Sequence, residues 1–190
     1  MPYRRNLLAE GQYYHLYNRG VNRQPIFFCE PNWAFFIRLI QKYFQPDLVE
    51  ILAYCLMPTH YHLLVCLHTD GFPQKVMQPF GISYTKAINE QQNRVGPLFQ
   101  GHFQAAWVDS SAYLLQLSRY IHLNPVRTNL VEHASDWIYS SYRDYIGLRK
   151  GTIPHKEMVM SFFSTPVDYR EFVESADQDE SKDIAHLLLD

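Results

Sequence analysis

Apolar and aromatic stretches follow one another in the order strand, helix, strand, strand, helix, strand. That order predicts an α+β fold with a ferredoxin-like βαββαβ antiparallel sheet. Three observations carry the prediction. The apolar run VEILAYCLM (49–57) is followed, just past Pro58, by HYHLLVCL (60–67), so two strands pair across a short turn. Segments with helical apolar spacing, 31–44 and 73–93, flank that pair. Aromatic-rich, strand-like segments, GQYYHLYN (11–18) and HFQAAWVD (102–109), stand at the two ends.

The first strand is followed by the turn signal Arg19-Gly20. The first helix opens on Pro31, carries the stripe Phe35, Phe36, Leu39, Ile40 and Tyr43, and is closed by Pro46. The second helix has Gly81 as a weak point. A third, C-terminal helix is expected over about 110–123, in SSAYLLQLSRYIHLNP. Asp109 or Ser110 caps its start, and Pro125 is expected to stop it, because the residue before a proline is pushed out of helical geometry. Tyr113, Leu114, Leu117 and Ile121 make its buried stripe, with Tyr120 on the edge and Asn124 four residues on over the same face. Asn129 is a candidate left-handed cap, and Trp137, Tyr139, Tyr142 and Tyr145 are expected to pack back onto the body.

Composition narrows the class. The chain has 190 residues, 47% hydrophobic and 15% aromatic, enough for one domain with a real core. It has no run of about 18 apolar residues that would span a membrane, and its start has no apolar h-region of a secretory signal. Its three cysteines, Cys29, Cys55 and Cys66, fit free thiols in a reducing cytoplasm, which is the expected location. The net charge of −2 divides unevenly: residues 1–150 carry +4 and residues 151–190 carry −6. We therefore expect one domain over 1–150 and an acidic, partly helical tail over 151–190. A mildly basic body is compatible with a phosphate-binding face but does not require one.

The chemistry is concentrated in two segments. In MPTHYHLLVCL (57–67), His60 and His62 are two apart on a strand and project side by side, with Tyr61, Leu63, Val65 and Leu67 on the opposite face. Two imidazoles so placed can chelate a divalent cation if a third ligand arrives from elsewhere. A lone pair of this kind is more often two ordinary hydrogen-bonded histidines, and a lone Tyr120 is more often core. In RYIHLNPVR (119–127), Tyr120 is a candidate nucleophile whose phenol Arg119 or Arg127 would ease. The amide oxygen of Asn124 is a candidate neutral ligand. A site of two imidazoles and one amide has no carboxylate, so it suits a cation whose remaining partner is an anion such as phosphate.

Taken together, MPTHYHLLV resembles the histidine–hydrophobic–histidine motif of the HUH endonucleases, and RYIHLNPVR resembles the tyrosine motif of the single-tyrosine transposases. YYHLYNRGVNRQPIF (13–27), the stretch 96–127 and WIYSSYRDYIG (137–147) make the chain most similar to REP-associated tyrosine transposases, over about residues 3–150. The resemblance implies that His60, His62 and Asn124 ligate Mg²⁺ or Mn²⁺ and that Tyr120 is the nucleophile. It implies cleavage and rejoining of single-stranded DNA near a palindromic hairpin, through a 5′-phosphotyrosine, by a protein more often monomeric than dimeric. Arg4, Arg5, Arg19, Arg23, Arg94, Arg119 and Arg127 are candidate DNA contacts. Two departures stand out: His102 where relatives often have arginine, and NPVRTNL in place of the commoner NPVRAGL. Two rivals remain, a hairpin-binding protein that no longer cuts and an RNA-binding ferredoxin-like module, although no ribonucleoprotein aromatic motif is visible.

Overall fold

The computed structural model describes residues 8–175. Four strands form one antiparallel sheet in the order β2-β3-β1-β4. They are β1 (Tyr13–Arg19), β2 (Val49–Met57), β3 (His60–Leu67) and β4 (Gln104–Val108). With α1 (Glu30–Tyr43) between β1 and β2, and α2 (Gln78–Gln91) between β3 and β4, this is the expected α+β, ferredoxin-like arrangement.

The sheet is covered on both faces, which is why β2 and β3 read as nearly unbroken apolar runs. On β3, Tyr61, Leu63, Val65 and Leu67 join Phe36, Ile40, Phe80 and Tyr84 from α1 and α2 in one core. Leu64 and Cys66 join Leu114, Leu117, Tyr120 and Ile121 from α3 (Ser111–Arg127) in the other. The period of two therefore assigns the faces as the sequence predicts. On β2 the register shifts between Ile51 and Ala53, so Leu52 and Ala53 both enter the α3-side core.

Element ends differ from expectation where backbone chemistry intervenes. Gly11 takes φ 75°, so β1 starts at Tyr13. A wide π turn over Pro73–Met77 precedes α2, which has a proline in its first turn, where no amide N–H is needed. The largest difference is at Pro125. Helix α3 does not stop there but runs on to Arg127. One missing N–H costs only the single hydrogen bond to the Ile121 carbonyl, and the turn that follows keeps its own. The Thr128 amide donates to the Asn124 carbonyl, and the Leu130 amide donates to the Pro125 carbonyl. Asn129 supplies the left-handed residue at φ 56°, as expected. Asn124 thus stays helical, one turn beyond Tyr120.

The segment after α3 covers its back. Here α4 (Tyr142–Tyr145), α5 (Glu157–Met160) and α6 (Pro166–Glu174) bury Tyr142, Tyr145, Val159, Tyr169 and Val173 with the α3-side core. Residues 154 and 155 also reach β2, where the His155 amide donates to the Ile51 carbonyl. Helix α3 is consequently buried over more of its surface than a single apolar stripe implies. Tyr120, expected on an edge, is 1% exposed, and Ser118, Arg119 and His122 are buried as well. Cys55 and Cys66 are buried free thiols, and Cys29 is exposed. Among the described residues no helix is long and apolar enough to cross a membrane.

Candidate metal centre and nucleophile

The site lies where the first turn of β3 meets the last turns of α3. The Pro58-Thr59 turn that launches β3 is tied down from outside: the Pro58 carbonyl accepts from the Ile26 and Phe27 amides, and the Thr59 carbonyl accepts from the Gly20 amide. His60 and His62 therefore leave a fixed backbone, toward α3.

His60 Nε2 lies 3.1 Å from Asn124 Oδ1, and His60 Nδ1 lies 2.9 Å from Thr59 Oγ1. The two imidazole centroids are 4.9 Å apart with the rings near perpendicular, at 82°. His62 Nδ1 is 2.9 Å from Nε2 of His15, on β1. Nothing among the described residues hydrogen-bonds the buried Nε2 of His62. Burial, then the neighbouring His15 and His60, pushes the His62 pKa well below its ordinary value of 6.5, so the ring is neutral near pH 7. A neutral imidazole with one nitrogen engaged and one lone pair uncommitted is the form that ligates a metal.

Tyr120 completes the cluster. Its ring meets His62 edge-on at 5.4 Å and His15 edge-on at 6.4 Å. The Arg127 guanidinium stands over the Tyr120 ring, 5.2 Å from its centroid. A cation there favours negative charge on the phenol oxygen. His60 Nε2 and Asn124 Oδ1 meet next to the ring whose Nε2 is open, so two imidazole nitrogens and an amide oxygen are the donors this site could offer a divalent cation. Among the described residues no three His, Cys, Asp or Glu side chains gather as an alternative metal cage.

The other expected residues fall in different places. Arg19 pairs in register with His60, and its Nε donates to Gln100 Oε1 at 2.5 Å. With Tyr17, Asn18, Gln100, Gly101, His102 and Gln104 it lines a cleft of about 420 Å³ beside the histidines. Arg23 is exposed in the turn after β1, and Arg94 stacks on Phe28 at 5.7 Å. Arg4 and Arg5 lie outside the described residues. Arg119 is corrected. It is buried, and its guanidinium donates to the carbonyls of Val173, at 3.2 Å, and Ser175, because α6 covers that side of α3. The sequence reading missed His15. Its only advance signal was its period-two match to Tyr17, which shares the α3 face of the sheet.

Known proteins resemble this chain in sequence and in fold. A protein-family model described as IS200-like transposase matches residues 9–124. A Haemophilus influenzae protein described as a REP-associated tyrosine transposase is 28% identical over 104 residues, which make up 49% of this chain and 58% of that protein. The chain thus matches less than two thirds of that relative's length. A solved structure of a REP-associated tyrosine transposase bound to a REP hairpin superposes with a TM-score of 0.59 at 17% identity. That superposition covers 82% of this chain and 97% of the other, and at such low identity it shows the shared fold. The family match takes in more than half of the chain, including His60, His62, Tyr120 and Asn124, and on that ground the chain belongs to the IS200-like transposase family.

Proposed function

We propose that this protein is a metal-dependent DNA strand-transfer enzyme that cleaves and rejoins single-stranded DNA beside palindromic hairpins. One observation carries the reading: the uncommitted Nε2 of His62 and the paired His60 Nε2 and Asn124 Oδ1 lie beside the Tyr120 ring. His60, His62 and Asn124 would hold Mg²⁺ or Mn²⁺, which when bound polarises the scissile phosphate and offsets the charge that builds on its oxygens. The Tyr120 phenol oxygen attacks the phosphorus and the P–O3′ bond breaks. The phenol proton is passed, directly or through solvent, to the departing 3′ oxygen. The products are a 5′-phosphotyrosine and a free 3′-hydroxyl. No water is consumed, so attack by a 3′-hydroxyl reverses the step and reseals the strand.

Two features shape how that happens. Tyr120 is 1% exposed, so its phenol must turn outward, or the DNA must part α3 from the sheet rim, before attack. One copy of the chain supplies all four side chains, so a monomer is a sufficient catalytic unit. The single strand would approach through the polar cleft lined by Arg19, Gln100 and Gln104, whose guanidinium and amide groups are of the kind that contact phosphate and base edges.

The test is direct. A 3′-labelled hairpin oligonucleotide with a single-stranded flank is incubated with protein and Mn²⁺, then run on a denaturing gel. The expected result is a labelled protein band that is lost in Tyr120→Phe and on chelation. Hairpin binding without a band under any divalent metal would overturn catalysis and leave a DNA-binding protein.

A further inference from the structure

His15 belongs to neither sequence motif, yet it is the residue that meets the inner nitrogen of His62. On antiparallel β1 and β3, Tyr17 lies opposite His62 and His15 lies opposite Leu64. His15 is therefore the diagonal neighbour of His62 on the face that α3 covers, a spacing that ring side chains can bridge. The two rings lie 5.0 Å apart at 21°, both fully buried, with His15 Nε2 and His62 Nδ1 2.9 Å apart.

That contact holds one proton, and it admits two arrangements. In the first, His62 Nδ1–H donates to His15 Nε2, and His62 Nε2 carries a bare lone pair. In the second, His15 Nε2–H donates to His62 Nδ1, and neutral His62 must carry its proton on Nε2, where it blocks a metal. A cation at Nε2 of His62 requires the first arrangement, because a ring nitrogen that carries the proton has no lone pair to give. His60 has no comparable director, because its Nδ1 meets the hydroxyl of Thr59, which can either donate or accept.

We propose that His15 is a positioning residue: it accepts the Nδ1–H of His62, and so sets the tautomer and ring plane that point the His62 Nε2 lone pair at the divalent cation. This rests on the metal-dependent reading above. It adds a third histidine that touches neither DNA nor metal and acts only through His62, as partners behind metal-bound imidazoles do.

The test needs no DNA and no turnover. Long-range ¹H–¹⁵N spectra of the metal-free protein, labelled at histidine, report the tautomer, and His62 is expected to be protonated on Nδ1. Mn²⁺ is then titrated by electron paramagnetic resonance into wild type, His15→Phe and His15→Gln. Phenylalanine keeps the ring volume and removes the acceptor; glutamine keeps an acceptor oxygen. The expected result is an affinity about 10–100-fold weaker in His15→Phe, with most of it regained in His15→Gln. Protonation of wild-type His62 on Nε2 overturns the proposal. So does wild-type affinity in His15→Phe, or an equal loss in both variants. Should His15→Phe fail to fold, the wild-type spectrum and His15→Gln still decide. A wild type that binds no Mn²⁺ at all sinks the metal reading itself, whereas binding indifferent to His15 sinks only this assignment.

Discussion

His62 and His122 are both fully buried histidines among aromatic rings, and they differ in one respect. His122, on α3, has both nitrogens engaged: Nδ1 is 2.7 Å from the Tyr169 hydroxyl and Nε2 is 2.8 Å from Ser141 Oγ. Those partners are themselves tied in, Tyr169 to Ser118 and Ser141 to the backbone of Tyr54. The network fastens α3 to α6 and to β2. His62 has one nitrogen engaged and the other open. Burial and residue type are shared, so neither separates a structural histidine from a ligand. The unspent lone pair does.

The sharpest way to break that comparison is to remove each ring in turn. His62→Ala is expected to cut Mn²⁺-dependent adduct formation by about 10³-fold, equivalent to several kcal/mol of transition-state stabilisation, in a protein that still unfolds cooperatively. His122→Ala is expected to leave Mn²⁺ affinity unchanged and to cost about 3 kcal/mol of stability by urea unfolding, since it empties a fully buried ring site and takes one partner each from the Tyr169 and Ser141 hydroxyls. A folded His122→Ala protein that has lost Mn²⁺ binding would erase the distinction between the two clusters.

A smaller effect tests which cluster Arg119 serves. Arg119→Met removes the donor to the Val173 and Ser175 carbonyls and is expected to cost about 2 kcal/mol. The salt dependence of hairpin binding should not change. A slope shallower by about one would return Arg119 to the phosphate contacts.

Acid provides the gentlest probe. Burial, and then Arg149, lowers the His122 pKa from its ordinary 6.5 to about 3. A base whose folded pKa is depressed binds its proton more readily when unfolded. Its contribution is therefore intact above pH 6.5 and is lost as the pH falls toward 3. The slope is about 1.4 kcal/mol per pH unit in that window. Urea midpoints between pH 6.5 and 5 should fall less steeply in His122→Gln than in wild type. Identical slopes would show that His122 is not the group that titrates.

Much of the architecture was legible because its rules are local. Two-residue periodicity put His60 and His62 on one face of β3 and Tyr61 on the other, and the order of apolar runs gave the sheet its βαββαβ course. The four-residue spacing put Tyr120 and Asn124 on one side of a helix. At Pro125 a local rule failed. The preference against helix before proline was outweighed by the packing of α3 between sheet and C-terminal segment, and that packing carried Asn124 into the site. Arg119 failed for a related reason: its surroundings are α6, more than fifty residues on, and no pattern near Arg119 announces that cover.

The sequence by itself determined which side chains share a face of one strand or one helix, because those periods are properties of the backbone at short range. Only the tertiary structure decided which faces meet. His60 reaches Asn124 across 64 residues of chain, and His15 reaches His62 across 47, through strand pairing and the docking of α3. Such distances are set by how the whole core fills space, and so the open nitrogen on His62, on which the chemistry turns, becomes visible only once the fold has closed around it.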